Sequence, residues 1–401
     1  MRRFQAVAVL ALLAAAGLTS AFGQPLAPAK PEDAGMSGKQ LALLDGLLGD
    51  AVARKDFPGA VLLVARKGKV VYRKAFGVSQ TVPESKPLRA DMIFDLASVT
   101  KPVATATAVM ILVERGRIRL WDKVSEYVPE FSKWYGEKGL AGEEARLWHL
   151  MTHTSGLPPY TDAKEAAKKL GDPCAPADLA GLIAAIPKEA PAGKEFVYSC
   201  LNYITLAHIV QKVSGKTIAE FTEETIFRPL GMKRTFFRPP ADVLDLCVPT
   251  EVIDGRPLRG VVHDPLARLQ GGLSGNAGLF STADDLAVFA QMLLDGGRRG
   301  GARVLSPLSV ERMTEIYPRV GRSGRGLGWD IDTDYSTVRG DLFGPGSYGH
   351  SGYTGTSIWI DPETRTAVVL LTNRVHPDDK GNIIALRSKA ANVVAASIIA
   401  K

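Results

Sequence analysis

Strand-like segments lie near both ends of this chain, and helical segments fill the sequence between them. Near the start, residues 60–65 and 70–72 are apolar runs joined by an Arg-Lys-Gly-Lys link, which predicts a hairpin. Near the end, residues 356–360 and 366–372 predict a second hairpin around the turn at residues 361–365. We therefore expect one antiparallel sheet with strands from both ends of the chain.

Helices predicted at the two chain ends would cover this sheet. Ser37 can cap a helix over residues 38–54, and a second helix covers residues 382–400. Between them the periodicity is mostly helical, in short segments broken by Gly and Pro. The fold class is therefore α/β (α+β): an antiparallel sheet flanked by terminal helices, with an inserted mostly helical domain.

The sequence also suggests where the domains divide. We assign residues 37–102 and 296–401 to the α/β domain and residues 103–295 to the inserted domain. A pocket between two such domains is the default place for a site.

The first residues indicate export from the cell. Arg2 and Arg3 precede an apolar run over residues 6–18, and small residues at the cleavage positions complete a signal peptide over residues 1–23. The apolar run is shorter than the roughly 18 to 20 residues of a membrane anchor. Residues 24–36 follow as a Pro-rich leader with no core to join. No later stretch is apolar for long enough to span a bilayer, so we expect a soluble periplasmic or secreted protein.

The charge pattern argues against a nucleic-acid partner. The net charge is +7, but the basic residues are scattered, with short runs such as residues 66–69 and 298–299. Neither run is interleaved with aromatic residues that could stack on bases.

Neither the cysteines nor the histidines suggest a metal site. No Cys-x-x-Cys spacing exists, which argues against a thiolate metal centre. His149 and His153 have the spacing of a zinc helix, but Leu150 stands where that motif needs Glu. We predict no metal and no cofactor.

Ser98 and Lys101 are the first candidates for chemistry. They open a helix that runs to about Glu114, and their i,i+3 spacing puts both side chains on one face. A hydroxyl is a poor nucleophile until a base removes its proton, and a partly buried Lys can lose its charge to help. Alone this pattern is weak, because about one chance match is expected in a chain this long, and a helix cap with a solvated Lys is then the better explanation.

Two further segments add to the pattern. Tyr198 precedes a helix, and a Tyr held between cationic groups can lose its proton and act as a base. Residues 349–355 are rich in Gly and come directly before a strand, where the backbone can lie close to a substrate. A backbone N–H of this segment and that of Ser98 would form an oxyanion hole. Each segment also has a purely structural interpretation, as a packed Tyr and a Gly-rich turn.

In this order, S-x-x-K, Y-S-x and H-S-G resemble the serine β-lactamase and penicillin-binding-protein superfamily. Within it the chain is similar to class C β-lactamases, related esterases and D-alanyl-D-alanine carboxypeptidases. Residues 148–158, 278–282 and 371–374 support the resemblance, which extends from about Gly38 to the C-terminus. It implies the β-lactamase/transpeptidase-like fold.

The resemblance also implies a reaction and three catalytic residues. Ser98 matches the acylated Ser, Lys101 its proton partner, and Tyr198 the residue that moves protons to the leaving group. The implied function is hydrolysis of an ester or amide bond, as an esterase or D-Ala-D-Ala carboxypeptidase with weak β-lactamase activity allowed. The substrate would be a small molecule or peptide, including cell-wall peptide. The alternative is a non-catalytic penicillin-binding or sensor protein on the same scaffold.

Five further residues would surround the substrate. His350, Ser351 and Gly352 match the third motif, and the backbone N–H of Tyr353 would complete the oxyanion hole. Cys200 stands where class C enzymes have the Asn of Y-x-N, and it would line the cleft.

These assignments carry two consequences. The chain has three cysteines, and with Cys200 in the cleft, Cys174 with Cys247 is the expected pair if any disulfide forms. His350 replaces a Lys and so removes a permanent positive charge. We expect anionic substrates to gain as the pH falls towards protonation of His350, near 6.5 for an ordinary His.

One rival motif carries less weight, and another is absent from the sequence. Ser274-Gly275-Asn276 imitates the S-x-N motif of other penicillin-interactive enzymes, but it lies closer to the third motif than to Ser98 and suits a supporting loop. Asn276 stands where many relatives carry His, and the sequence assigns it no effect. No G-x-S-x-G exists, which excludes the α/β-hydrolase elbow.

Overall fold

The computed structural model describes residues 24–134, 144–317, 324–333 and 338–399. The predicted signal peptide, residues 1–23, lies outside the described residues. The strands in chain order are β1 (Ala27–Pro28), β2 (Gly59–Arg66), β3 (Lys69–Gln80), β4 (Lys86–Pro87), β5 (Phe94–Asp95), β6 (Val252–Ile253), β7 (Arg256–Pro257), β8 (Phe280–Ser281), β9 (Arg298–Arg299), β10 (Ala302–Arg303), β11 (Tyr348–Ser351), β12 (Ser357–Asp361) and β13 (Thr366–Thr372).

Most helices belong to the middle of the chain. The α-helices are α1 (Gly38–Leu41), α2 (Leu43–Ala53), α3 (Thr107–Glu114), α4 (Leu147–Met151), α5 (Ala163–Leu170), α6 (Pro176–Ala185), α7 (Cys200–Ser214), α8 (Ile218–Thr222), α9 (Arg228–Leu230), α10 (Pro265–Leu269), α11 (Ala283–Leu294), α12 (Pro307–Thr314) and α13 (Ile384–Ala396). Short 3₁₀ helices occupy Pro31–Ala34, Ala97–Val99, Val124–Glu126, Pro129–Trp134 and Ala241–Leu246, and π-helical turns occupy Lys101–Ala106 and Glu223–Phe227.

Within the described residues, seven strands form one sheet in the order β1-β3-β2-β13-β12-β11, with β4 also paired to β3. Strand β1 runs parallel to β3, and the other pairs are antiparallel. At the centre β2 pairs with β13, from Arg66 opposite Thr366 to Ala60 opposite Thr372. The predicted sheet with strands from both chain ends is therefore confirmed.

Two apolar layers cover this sheet. Successive side chains of β2 alternate between its faces, so Leu62 and Val64 pack under helices α1, α2 and α13. Val61 and Leu63 point to the other face, which joins the large core of the helical region. The predicted sheet flanked by terminal helices, with helices inserted between its strands, is the observed architecture. Helix α11 packs against β2 and β13. The domain boundaries at residues 103 and 295 stay a prediction.

The Pro-rich leader differs from its prediction. Leu26 is buried in the core of the protein, and Met36 packs in the layer beneath the terminal helices. Ala27 and Pro28 pair with the edge strand β3, and the N–H of Ala29 donates to the carbonyl of Val70 at 2.9 Å. The edge of β3 therefore supplies backbone hydrogen-bond partners to the leader, although the composition of the leader predicts no contact with the folded protein.

The helical stretch Ala97–Glu114 carries two of the predicted site residues through the interior. By length and composition it could cross a membrane, contrary to the prediction that no later stretch is apolar for long enough. However, 83% of this stretch is buried inside the protein, as expected for a core helix. Its apolar surface is therefore already covered by protein.

All three cysteines lie in the described residues, and all are free. Cys174 belongs to the large core, whereas Cys247 packs in a separate cluster with Ile93 and Phe280. The pairing of Cys174 with Cys247, which the sequence favours if any disulfide forms, is absent because the two side chains lie in different clusters.

Candidate active site

Ser98 lies on a tightly held turn between β5 and the core helix. The preceding residue, Ala97, has a positive φ of 45°, which non-glycine residues rarely adopt. The buried carboxylate of Asp95 accepts the N–H of Ala97 at 2.9 Å and the N–H of His263 at 2.7 Å. Ala97 and Val99 are buried while Ser98 is partly exposed. The turn therefore leaves Ser98 partly exposed beside Lys101 and strand β11, and this place is here called the cleft.

Lys101 lies directly behind that hydroxyl and is fully buried. Its Nζ donates to Ser98 Oγ at 2.9 Å, to the main-chain oxygen of Asn276 at 3.0 Å and to Cys200 Sγ at 3.5 Å. Burial is the largest influence and lowers the pKa of Lys101. Interactions with Cys200 and Tyr198, including a hydrogen bond to Tyr198, oppose burial, and the net direction of the Lys101 pKa is upward. The Lys101 ammonium is therefore a hydrogen-bond donor to Ser98, whereas the sequence suggested that this group can lose its charge.

Tyr198 faces the same ammonium group. Lys101 Nζ lies 5.1 Å from the centre of the Tyr198 ring, and the guanidinium carbon of Arg325 lies 5.9 Å from it. A phenolate formed at this position would lie between two cations, which stabilise negative charge. The structure thus brings the three predicted catalytic residues into one cluster.

The third motif forms the opposite wall of the cleft. Thr356 Oγ1 donates to the carbonyl of Leu96 at 2.8 Å, and Thr354 Oγ1 donates to that of Asp95 at 2.7 Å. These bonds tie the segment after β11 to the turn that carries Ser98. Among the described residues, no acceptor is bonded to the backbone N–H of Ser98 or of Tyr353. Both donors are thus available for a developing oxyanion.

The side chains of Ser351 and Tyr353 lie at the edge of this wall. Ser351 is partly exposed, and its main-chain oxygen lies 2.8 Å from His350 Nδ1. The Tyr353 ring is exposed, its hydroxyl donates to Asp379 at 2.6 Å, and the guanidinium of Arg374 lies over the ring at 4.4 Å. The Tyr353 side chain is therefore engaged away from Ser98.

His350 is neutral in this site. Burial, with the nearby cations Arg325 and Lys101, holds its pKa well below the ordinary value. Its Nδ1 hydrogen-bonds to the Ser351 carbonyl, so Nε2 is the acceptor that faces Arg325 Nη2 at 3.5 Å. With its pKa lowered in this way, His350 is not expected to become protonated between pH 5 and 8, and we do not expect anionic substrates to gain in that range through His350.

Arg325 is the residue that the sequence analysis missed. It is buried and lies 3.5 Å from the carboxylate of Asp330 through Nη1. Its guanidinium supplies a positive charge beside His350, which stands where class C enzymes have a Lys. A lone charged residue in the Gly-rich, apolar stretch of residues 324–329 was the available signal. The Asn276 carbonyl that binds Lys101 had no such signal, because every residue carries that group.

Cys200 begins helix α7 and lines the cleft as predicted from the resemblance. Burial is the main cause that raises the pKa of this thiol, although Lys101 opposes it. The sulfur is therefore a neutral thiol at neutral pH. Because the thiolate is the reactive form of cysteine, the Cys200 thiol is not activated as a nucleophile.

Gly352→Ala should disrupt the cleft, because a Cβ there would lie 2.2 Å from Thr356 Oγ1 and 2.3 Å from the Leu96 carbonyl. We expect the wall to move away from Ser98, a loss of stability of about 1 to 3 kcal/mol, and a fall in hydrolysis of at least about tenfold. Gly346→Ala is the matched control, because a Cβ there meets nothing within 4 Å. Thermal unfolding and turnover of one ester, measured on both variants, check the prediction. Equal behaviour of the two variants would contradict it.

Comparison with known proteins assigns this chain to a family. The β-lactamase family model matches residues 44–391. The chain is 32% identical over 380 residues to a Salmonella schwarzengrund protein named "Putative D-alanyl-D-alanine carboxypeptidase", covering 88% of this chain and 86% of the relative.

Solved structures share the fold. The hydrolase EstCE1, described as having promiscuous acyltransferase activity, has a TM-score of 0.71 at 23% identity, over 89% of this chain and 99% of its own. The octameric penicillin-binding protein homologue from Pyrococcus abyssi has a TM-score of 0.64 at 25% identity, over 87% and 76%. The predicted β-lactamase/transpeptidase-like fold is therefore confirmed, and the relatives include hydrolases. With its Ser, Lys and Tyr motifs meeting in one cleft, the chain is a member of the β-lactamase family.

Proposed function

We propose that this chain is a serine hydrolase that forms an acyl-enzyme on Ser98 and cleaves a peptide next to its C-terminal carboxylate. One observation carries the first part of the proposal: the Lys101 ammonium lies 2.9 Å from the Ser98 oxygen. The resemblance of the motifs and the carboxypeptidase name of the Salmonella relative support the second part.

In this proposal Tyr198 begins as a phenolate beside the Lys101 ammonium and acts as the base. Ser98 Oγ bonds to the scissile carbonyl carbon, and the Ser98 proton moves to the Tyr198 oxygen. The carbonyl electron pair moves to oxygen, where the N–H groups of Ser98 and Tyr353 bind it. When the C–N bond breaks, the leaving nitrogen takes the proton from Tyr198.

Hydrolysis of the acyl-enzyme uses the same groups in reverse. A water molecule gives a proton to Tyr198, and its oxygen bonds to the acyl carbon. The bond to Ser98 Oγ then breaks, and Ser98 regains the proton from Tyr198. Lys101 keeps its charge throughout, so its role is to hold the Ser98 oxygen and to stabilise the phenolate.

Arg325 supports the choice of a substrate with a free carboxylate. It is a buried guanidinium beside His350, and within the described residues its Nε has no acceptor. A charged donor of this kind makes charge-assisted hydrogen bonds to carboxylates, which are roughly twice as strong as neutral ones. His350 would add one neutral contact beside it.

The double substitution Arg325→Gln with Asp330→Asn should lower kcat/KM for a D-Ala-D-Ala peptide about 10- to 100-fold. Removing both charges avoids leaving Asp330 buried without its cation. The methyl ester of the same peptide should lose little, because it has no carboxylate to bind. We expect the acid-to-ester ratio of kcat/KM of the unmodified protein to stay flat from pH 5 to 8, because His350 remains neutral.

Steady-state kinetics on the acid and ester pair, with p-nitrophenyl esters and nitrocefin alongside, provide the measurement. The surface pair Arg312 and Glu315, changed to Gln at both positions, is the control for lost charge. Equal losses on the acid and the ester would argue against carboxylate recognition, and turnover of p-nitrophenyl esters alone would favour an esterase. An acid-to-ester ratio of kcat/KM that rises as the pH falls would indicate that protonation of His350 determines the selectivity.

A further inference from the structure

The turn at residues 152–156 (T-H-T-S-G) is part of a segment that supports the family resemblance, yet none of its residues has a role in the proposed reaction. It lies beside the segment that carries Tyr198. The N–H of Gly193 donates to the carbonyl of Thr154 at 2.7 Å, and the N–H of Glu189 donates to that of Gly156 at 2.7 Å. A Cβ at Gly156 would lie 1.9 Å from the Ala190 oxygen, so this approach requires glycine.

His153 is the residue of this turn that contacts Tyr198. The N–H of Val197 donates to the His153 carbonyl at 2.9 Å, and the N–H of Ser199 donates to the ring atom Nδ1 at 3.1 Å. Both neighbours of Tyr198 in the chain are therefore bonded to the same residue. The ring centres of His153 and Tyr198 lie 4.4 Å apart.

The hydrogen bonds of the His153 ring assign its tautomer. The ring atom Nδ1 accepts the backbone N–H of Ser199 and lies 3.4 Å from the side-chain amide nitrogen of Asn202. The other amide atom of Asn202, Oδ1, accepts the hydroxyl of Ser155 at 2.5 Å, which fixes the orientation of the amide. The proton of the neutral ring is therefore on Nε2. Burial, together with the cations Arg325 and Lys101, keeps the pKa of His153 well below its ordinary value, so the ring stays neutral.

The backbone of His153 also departs from ordinary geometry. Its φ is 59°, in the left-handed region that few residues other than glycine adopt, although Asn, Asp and His do so more often than the rest. The carbonyl and the ring of His153 can reach the two N–H groups around Tyr198 together in this conformation.

We propose that His153 is a positioning residue that holds the Tyr198 ring against Lys101 and Ser98. The proposal rests on the proposed function, in which Tyr198 is the base. His153 itself does not contact the reacting atoms. Its ring packs against the tyrosine, and its two acceptor groups fix the backbone on either side of it.

The test compares matched substitutions of two buried histidines. His153→Phe keeps an aromatic ring but removes the Nδ1 acceptor, and it should lower kcat up to about 100-fold with little change in KM. His153→Asn keeps an acceptor near the Nδ1 position and tolerates the positive φ, so it should retain most of the kcat that His153→Phe loses. His149→Phe is the control: His149 Nδ1 also accepts a backbone N–H, that of Arg146 at 2.8 Å, but the His149 ring stacks on Trp148 rather than on Tyr198. It should lower the melting temperature and leave kcat little changed.

A pH profile separates positioning from lost stability. In His153→Phe we expect the acidic limb of kcat/KM against pH to move, because Tyr198 changes its place beside Lys101. In His149→Phe the limb should stay where it is. If His153→Phe does not fold, His153→Gln replaces it, since its longer side chain places the amide near Nε2 and leaves the Ser199 N–H without an acceptor.

The outcomes distinguish this inference from the proposed function. If the unmodified protein forms no adduct on Ser98 with a fluorophosphonate probe, the proposed function fails. If that adduct forms and the His153 variants acylate at the unmodified rate, the positioning role alone is overturned. Equal losses of kcat in His153→Phe and His149→Phe, with unmoved pH profiles, would also overturn it.

Discussion

Ser98→Ala should abolish labelling by a fluorophosphonate probe and lower turnover on the order of 10⁶-fold, because no oxygen remains to bond to the substrate carbon. Residual hydrolysis would come from the oxyanion donors and from binding alone. Intact-mass and peptide-mass measurements on the unmodified protein should show one adduct, on the peptide that contains Ser98.

Ser37→Ala is a suitable control for this experiment. Ser37 caps helix α1 by accepting the N–H of Gln40, so its loss costs about 1 kcal/mol of stability without touching the cleft. Its labelling should equal that of the unmodified protein. Labelling that persists in Ser98→Ala would place the nucleophile elsewhere. An unmodified protein that binds penicillin reversibly, without adduct or turnover, would support the binding or sensor alternative.

Lys101→Met and Tyr198→Phe should each lower kcat by about 10² to 10⁴-fold, and the double variant should be little worse than either single one. The reason is that, in the proposed mechanism, each group needs the other: Lys101 holds the Ser98 oxygen while Tyr198 takes the proton of Ser98. Residues that act as one unit give losses that do not multiply. Rates of acylation, measured as adduct formation under single-turnover conditions, check this directly.

Lys188→Met is the control for removing a buried ammonium group. Burial lowers the pKa of Lys188 to about 8, and its Nζ lies 4.4 Å from the centre of the Phe131 ring rather than at the cleft. We expect unchanged acylation in that variant. If the Lys101 and Tyr198 losses multiply in the double variant, the two residues act independently and the shared proton path is wrong.

The central sheet could be predicted because its signal is local. Strands β2 and β13 are buried on both faces, so each is a continuous apolar run bounded by turn residues. Helix α13 ends before residue 400, the predicted end, because of a contact with a segment far away in the sequence. The N–H of Ile399 donates to the Gly35 carbonyl at 3.0 Å, so the end of the chain pairs with the segment before α1 instead of continuing as helix.

The same distinction holds in the cleft. Ser98 and Lys101 could be paired from the sequence because helical spacing alone brings them together. Arg325 could not be placed there, because it comes from a loop whose position depends on the whole fold. The directions in which the pKa values of Lys101 and His350 shift could not be predicted for a related reason: burial and neighbouring groups, rather than residue type, set them.

The pairing of the two chain ends has a consequence for biosynthesis. The N–H of Gly59 donates to Asn373 across 314 residues of sequence, and Thr356 reaches the turn before Ser98 across 260. Contacts this distant form late and make folding slow. A ribosome-bound chain that already contains Ser98, Lys101 and Tyr198 still lacks the strand that closes the cleft. The hydrolysis proposed at Ser98 should therefore arise only once the strands after residue 356 have been synthesised, so that shorter chains carry Ser98 without its proposed reactivity.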